Sequence, residues 1–142
     1  MELTLSGMAD AVATQTISDG AKYATFKFTN VSDGSGEAAV KKIDVSALSK
    51  DPMTGQACTK VNISNIWYST VGMSVKVLFD ASTDVLAWHI LADYSDELDF
   101  SSFSGIPNNA GSGVTGDIML TTVGHSSGDT YSVILKVLKS YG

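Results

Sequence analysis

The segment LDFSSFSGIPNNAGSGVTGDIMLTT, residues 98–122, decides between two classes of fold. It contains GSGVTG (111–116), which has the GxGxxG spacing of dinucleotide-binding proteins. In those proteins a strand precedes the glycines and a helix follows them, so that the helix N-terminus holds the pyrophosphate. Here IPNN precedes the glycines and the strand-like DIMLTT follows them. The segment therefore predicts a glycine-rich bend in an all-β chain, and no cofactor is expected.

Short runs of alternating apolar and polar residues extend outward from this segment. Residues 23–29, for example, place Ala24, Phe26 and Phe28 on one face, and a period of two is typical of a half-buried β-strand. Residues 85–91 are apolar on both faces and fit a central strand or a short helix, but the neighbouring strands favour a strand. About eight strands are expected, over residues 11–17, 23–29, 39–45, 60–69, 73–79, 85–91, 116–123 and 130–138.

These strands predict an all-β fold, an antiparallel β-sandwich with the jelly roll as a candidate topology. The length of 142 residues suits one domain, expected over residues 11–142. Residues 1–10 are expected to be a flexible N-terminal segment. In the strand 60–69 we expect Trp67 on the same face as Val61 and Ile63.

Composition excludes several classes of partner. The net charge is −6, and all nine cationic residues are lysines. Because arginine supplies the bidentate fork that reads guanine and clamps phosphate, nucleic acid is not an expected partner. A run of about 20 apolar residues is missing, so no membrane partner is expected. The single Cys58 cannot form an internal disulfide and is expected to be a small buried thiol.

The sequence GHSSG (124–128) matches the nucleophile-elbow pattern GxSxG. That elbow lies between a strand and a helix, whereas this one lies between two expected strands, and no histidine follows Ser126. His125 is adjacent, but neighbouring side chains on extended backbone point to opposite faces. A hairpin turn is therefore expected, and the chain is not expected to be an enzyme; a hydrolase using Ser126 and His125 is kept as a control hypothesis.

Four carboxylates cluster in LADYSDELDF, where calcium is one alternative and a solvated acidic loop the other. They lack the DxDxDG spacing of a calcium loop, which favours the solvated loop: Asp93, Asp96, Glu97 and Asp99. The two histidines, His89 and His125, have no cysteine or histidine neighbours at zinc-ligand spacing. No metal is therefore expected.

Three aromatic residues are expected on the polar sides of strands, namely Tyr23, Tyr68 and Trp88. Such rings form either a sugar-stacking platform or a contact with another subunit. For a single domain of this size, contact with a protein is the favoured interpretation.

Three stretches carry a family resemblance: FTNVSDGSGE (28–37), IWYSTVGMSVKVLFDA (66–81) and the opening segment (98–122). Together they resemble small virion structural proteins of tailed bacteriophages, from about Lys22 onward. The most specific part is the pairing of GIPNNAG with TGDI, followed by SGDTYS before the last strand. The resemblance implies no catalytic residues.

What the resemblance implies is a capsid decoration, or cement, protein on the virion surface. Its partners would be the major capsid protein and further copies of itself, as a dimer or trimer. The alternative is a tail or neck component, with a receptor-binding module that contacts carbohydrate as one form of it. The long loop 104–116 is expected to be a contact arm to a neighbouring subunit. The expected subunit-contact residues are Ile106, Pro107, Asn108, Asn109, Trp88 and Tyr68.

Overall fold

A computed structural model describes residues 10–141 of the chain. The described residues contain nine β-strands and two short 3₁₀ turns. The strands are β1 (Ala11–Asp19), β2 (Tyr23–Val31), β3 (Val40–Ile43), β4 (Cys58–Val71), β5 (Ser74–Phe79), β6 (Val85–Ile90), β7 (Ser95–Asp99), β8 (Ile118–Val123) and β9 (Thr130–Tyr141).

The strands form two sheets in which all neighbouring strands are antiparallel. One sheet has the order β1-β2-β9-β4-β7 and the other the order β3-β8-β5-β6. The all-β fold and the antiparallel sandwich are thus confirmed. Without β1, the orders β2-β9-β4-β7 and β3-β8-β5-β6 are those of an eight-stranded jelly roll. β1 is an additional strand at one edge of the larger sheet.

The core lies between the two sheets and follows from the alternation in the sequence. In β2 and β9, which pair along their lengths, every second side chain is buried, as Phe26, Phe28, Val133 and Leu135 illustrate. Each such side chain stabilises the fold by about 1.5–3 kcal/mol relative to exposure. Cys58 belongs to this core, and its burial raises the pKa of the thiol. The expectation of a small buried thiol is confirmed.

The expected facing of Trp67 is wrong, because β4 contains a β-bulge between Ile63 and Asn65. A bulge adds one residue to one strand and therefore shifts the alternation beyond it. Val61 and Ile63 point into the core before the bulge, and Ile66 takes the inward position after it. Trp67 consequently lies on the outer face, half-buried.

The acidic stretch expected as a loop contains an edge strand, β7, which pairs with residues 65–69 of β4. An edge strand has only one neighbour and can keep polar residues on both faces, so its sequence lacks the apolar alternation. The strand expected over 39–45 ends at Ile43, and Val45–Ala47 forms a 3₁₀ turn. The alternatives for residues 85–91 are resolved in favour of a strand, β6.

The expected flexible segment 1–10 lies outside the described residues except for Asp10. Its carboxylate Oδ1 accepts hydrogen bonds from the backbone N–H groups of Asp33 and Gly36, both at 3.1 Å. Burial opposes ionisation of Asp10, but these donors and the Asn30 amide outweigh it and lower the pKa of the carboxyl. For Asp10 itself, the structure therefore shows an anchored residue.

Candidate functional site

The loop 104–116 is fastened to its own domain at both ends. Near its start, Ile106 forms a two-way backbone bridge with Ile63 of β4, with N···O distances of 3.0 and 2.8 Å. Near its end, Thr115 donates its backbone N–H and its hydroxyl to Asp80, beside the β5–β6 turn. The loop thus links the two sheets along the β7 side of the sandwich. Pro107 and Asn109 are exposed, whereas Ile106 and Asn108 are half-buried.

Two glycines of the GxGxxG sequence, Gly113 and Gly116, serve this closure. Gly116 has φ +87°, and a Cβ there would lie 2.0 Å from the carbonyl oxygen of Thr59. Only glycine allows both the backbone conformation and this close approach. β8 follows directly, as the sequence predicted, so the motif leads into a strand, and Gly116 allows the close approach to Thr59.

The GHSSG sequence connects β8 and β9, but the expected hairpin is wrong: β8 belongs to the four-stranded sheet and β9 to the five-stranded sheet, so the segment crosses between the sheets. The Ser126 backbone N–H donates to the Asp129 carboxylate, which closes the turn at 2.8 Å. The imidazole of His125 lies against Gly36, and its Nδ1 is 3.1 Å from the Thr122 hydroxyl. His125 is therefore engaged with the four-stranded sheet and with the loop after β2.

Three of the four clustered carboxylates have separate local partners. Asp93 accepts from the backbone N–H of Gly72, Asp96 from that of Glu97, and Asp99 from that of Ser101. Within residues 10–141, no group of three or more histidine, cysteine or acidic side chains is arranged to hold a metal ion. The ligand-like residues of this stretch thus act mainly as turn and edge-strand residues.

The three expected aromatic residues do not share a surface. Tyr68 follows the bulge in β4 and points into the sandwich, 9% exposed. Trp88 packs against Phe100, with ring centroids 5.2 Å apart, at the margin of the core. Tyr23 lies on the outer face of β2 with the Lys136 ammonium 4.5 Å from its ring centroid. Sequence alternation placed Tyr68 on the polar side because it did not include the bulge.

A polar cluster ties the loop after β2 to both sheets. Glu37 is buried and lies 2.5 Å from both the Lys42 ammonium and the Tyr131 hydroxyl of β9. Its backbone N–H donates to the Thr122 hydroxyl of β8 at 2.8 Å. Burial and the neighbouring carboxylate raise the pKa of Tyr131 well above its ordinary value. The cluster therefore has a structural role: it fixes one end of the sandwich.

At the other end, Lys139 of β9 anchors the end of β1. Its ammonium is 2.7 Å from Asp19 Oδ1 and donates to Gly20 O and Ser49 O, each at 2.9 Å. Burial lowers the pKa of Lys139, but the hydrogen bond and attraction to Asp19 outweigh it and raise the pKa. The Lys139 side chain is fully buried, so its charge depends on Asp19.

β1 presents the most unusual surface of the described residues. All of it is exposed except Asp19, and Val12 and Ile17 are each 49% exposed. The larger sheet has one strand more than the smaller, so no strand among residues 10–141 lies opposite β1 to cover its inner face. From Ala11 to Ser18 it carries no charge and no proline. The sequence signal was the weak apolar alternation of this stretch, which marked a strand without revealing its exposure.

A groove of about 340 Å³ lies mainly on the outer face of the larger sheet, between β2 and β7. One cross-strand row crosses it, in which Lys27, Ile134, Trp67 and Glu97 stand side by side. Serines of β4, β7 and β9 line its rim: Ser69, Ser95 and Ser132. Sequence reasoning missed this groove because it placed Trp67 on the same face as Val61 and Ile63, which the structure buries.

No protein-family model matches this chain, and no curated protein matches it significantly. Among residues 10–141, no helix is long and apolar enough to cross a membrane. Two surfaces are therefore the candidates for a binding function: the β1 edge and the groove at Trp67.

Proposed function

We propose that this protein is a non-enzymatic structural component of a phage particle, a capsid decoration protein that bridges and stabilises major capsid subunits. The observation that carries the proposal is the exposed edge of β1. A strand of nine residues that is uncharged from Ala11 to Ser18, and whose outer edge no strand of residues 10–141 covers, offers backbone donors and acceptors to another chain. The resemblance of residues 28–37, 66–81 and 98–122 to phage virion proteins supplies the setting.

Natural proteins protect free sheet edges with charges, prolines or short strands, because such edges pair with other chains. β1 uses none of these devices between Ala11 and Ser18. Its exposed Val12 and Ile17 side chains would lose contact with water in a pairing. We therefore assign self-association, as a dimer or trimer, to this edge.

The loop 104–116 is the proposed contact with the capsid subunits. Its exposed Pro107 and Asn109 are held in place by the fastenings of the loop at Ile63 and Asp80, so little ordering is required on binding. Tyr68 is buried in its own sandwich, and Trp88 packs on Phe100, so the loop residues are the part of the expected contact that a neighbour reaches most easily. Many such modest contacts, repeated over a shell, add up to a large stabilisation.

Cryo-EM of the particle tests this proposal directly. We expect density for the chain at regular positions on the capsid lattice, with β1 at a contact between copies. Density confined to the tail or neck would overturn it.

A second candidate, a tail or neck component that contacts carbohydrate, is favoured by the groove at Trp67. Copy number distinguishes the two candidates without a structure. A decoration protein is present in hundreds of copies per particle, so its band should approach that of the capsid protein. A tail component is present in few copies, and its band should be faint.

A further inference from the structure

We infer that the groove at Trp67 binds a short, neutral saccharide, whose sugar ring stacks on the Trp67 indole. The inference rests on the groove alone and does not depend on where the chain sits in a particle. This site differs from the aromatic residues that the sequence suggested for sugar stacking. Two of those, Tyr68 and Trp88, face the core.

The groove owes its aromatic surface to the bulge in β4. Without the bulge between Ile63 and Asn65, alternation would place Trp67 inside the sandwich. With it, Trp67 stands on the outer face between Ile134 of β9 and Glu97 of β7. These neighbours belong to paired strands, so the ring is held on a rigid surface, which lowers the entropic cost of binding.

Polar groups at both ends of the row are available to a ligand. Lys27 and Glu97 are three strand spacings apart, roughly 14 Å between backbones. The ion pairs within residues 10–141 involve other lysines, namely Lys41, Lys42 and Lys139. The ammonium and the carboxylate therefore offer donors and acceptors on either side of the indole, and the rim serines add hydroxyls.

This combination selects among ligand classes. Three charged side chains line the groove: Lys27 and Glu97 lie at opposite ends of the row on the outer face, and Asp96 alternates to the other side of β7. On the outer face one ammonium and one carboxylate therefore favour neither a cation nor an anion. A wholly apolar ligand would remove water from both charged groups without replacing their hydrogen bonds. A peptide strand cannot pair here, because the backbone groups of β9 and β4 already pair with their sheet neighbours. A sugar has an apolar ring face for the indole and hydroxyls for the polar ends, so it satisfies both parts of the groove.

Nuclear magnetic resonance of the two indole N–H groups tests the inference. The chain has two tryptophans, so the Trp67 and Trp88 signals are assigned with a Trp67→Phe variant. The probes are chitotriose, maltotriose and cellotriose, each titrated into the full chain. We expect at least one of them to shift the Trp67 signal saturably and to leave the Trp88 signal in place.

The variants separate recognition from folding. Trp67→Ala should weaken binding at least tenfold, equivalent to about 1.4 kcal/mol, and Glu97→Gln should weaken it measurably with the ring still present. Tyr94→Ala, which removes an exposed ring outside the groove lining, should leave the affinity unchanged. The inference is overturned if none of the three saccharides shifts the Trp67 signal, or if Trp67→Ala and Glu97→Gln bind as the native chain does. Either result leaves the capsid proposal intact, because that depends on β1.

Discussion

The two edges of the larger sheet are β1 and β7, and they are built in opposite ways. β7 has five residues, three of them acidic, and the loop 104–116 continues the pairing beyond it through the Ile63–Ile106 bridge. β1 has nine residues, is uncharged up to Ser18, and has no covering loop among residues 10–141. One edge is short, charged and extended by its own chain, while the other is long and open.

This difference indicates which edge of the larger sheet is protected against pairing with another strand and which edge is open to it. The acidic side chains of β7 disfavour pairing with another strand, which is how monomeric sheets end. β1 lies outside the eight strands that form the jelly roll, and its side chains add little to the core. We therefore propose that β1 serves an assembly, in which its open edge pairs with another chain.

The end of the loop 104–116, which continues from the β7 edge, gives the largest expected effect on stability. Gly116→Ala should lower the free energy of unfolding by about 3 kcal/mol, because the Cβ clashes with Thr59 O at a positive φ. Gly111→Ala is the matched control, since no atom lies within 4 Å of its Cβ position. Urea denaturation of both variants measures the difference. Equal stabilities would mean that the end of the loop is not fixed as described.

The anchor of β1 gives the next effect. Lys139→Met should lower the free energy of unfolding by about 2 kcal/mol, because it removes one partner of an ion pair whose other side chain, Asp19, is 24% exposed. Lys60→Met, at an exposed position of β4, is the control and should change stability by less than about 0.5 kcal/mol. Thermal denaturation of the two variants should therefore separate them clearly, and similar melting temperatures would contradict the anchor.

The same ion pair predicts a dependence on pH. Burial raises the pKa of Asp19, but the bonds from Lys139 and Ser49 outweigh it, so its pKa is lower than the ordinary 3.8. The folded state therefore gains stability above pH 3.8 and loses it as the pH falls through 3.8 toward the folded pKa. Denaturation between pH 6 and pH 2 should show a smaller loss in Lys139→Met than in the native chain. An identical loss of stability in both proteins would show that Asp19 does not contribute to the pH dependence.

The open edge gives a smaller effect on stability and a clear effect on association. Thr14→Lys, in the middle of β1, should raise the dissociation constant of the oligomer at least tenfold, or about 1.4 kcal/mol. Ser95→Lys places the same charge on β7 and should leave association unchanged. Sedimentation velocity over a concentration series measures both. If the two variants associate alike, β1 is not the contact.

Much of the fold follows from the sequence, because alternation in β2, β5 and β9 identifies strands that are half-buried. The glycine-rich segment was correctly read as a bend before a strand. The facing of Trp67 did not follow, since a bulge is decided by packing between sheets and leaves no local pattern. β7 was missed because its polar residues follow from its position at an edge, which only the tertiary fold defines.

The candidate site was harder to predict than the fold. Tyr68 and Trp67 are adjacent, and the bulge exchanges which of them faces outward. A prediction from alternation alone does not locate the bulge, and it therefore assigns the outward position to Tyr68 instead of Trp67. The exposure of β1 was equally hidden, because it depends on the smaller sheet having one strand fewer.

Amide hydrogen exchange along β1 tests the central claim most directly, that this strand is the open edge through which the chain assembles. Alternate amides of β1 pair with β2, and the others point away from the sheet. We predict that the outward amides exchange rapidly in dilute protein and become protected when the protein is concentrated, while β7 and the loop 104–116 remain unchanged. Outward β1 amides that exchange equally fast at both concentrations would contradict the account.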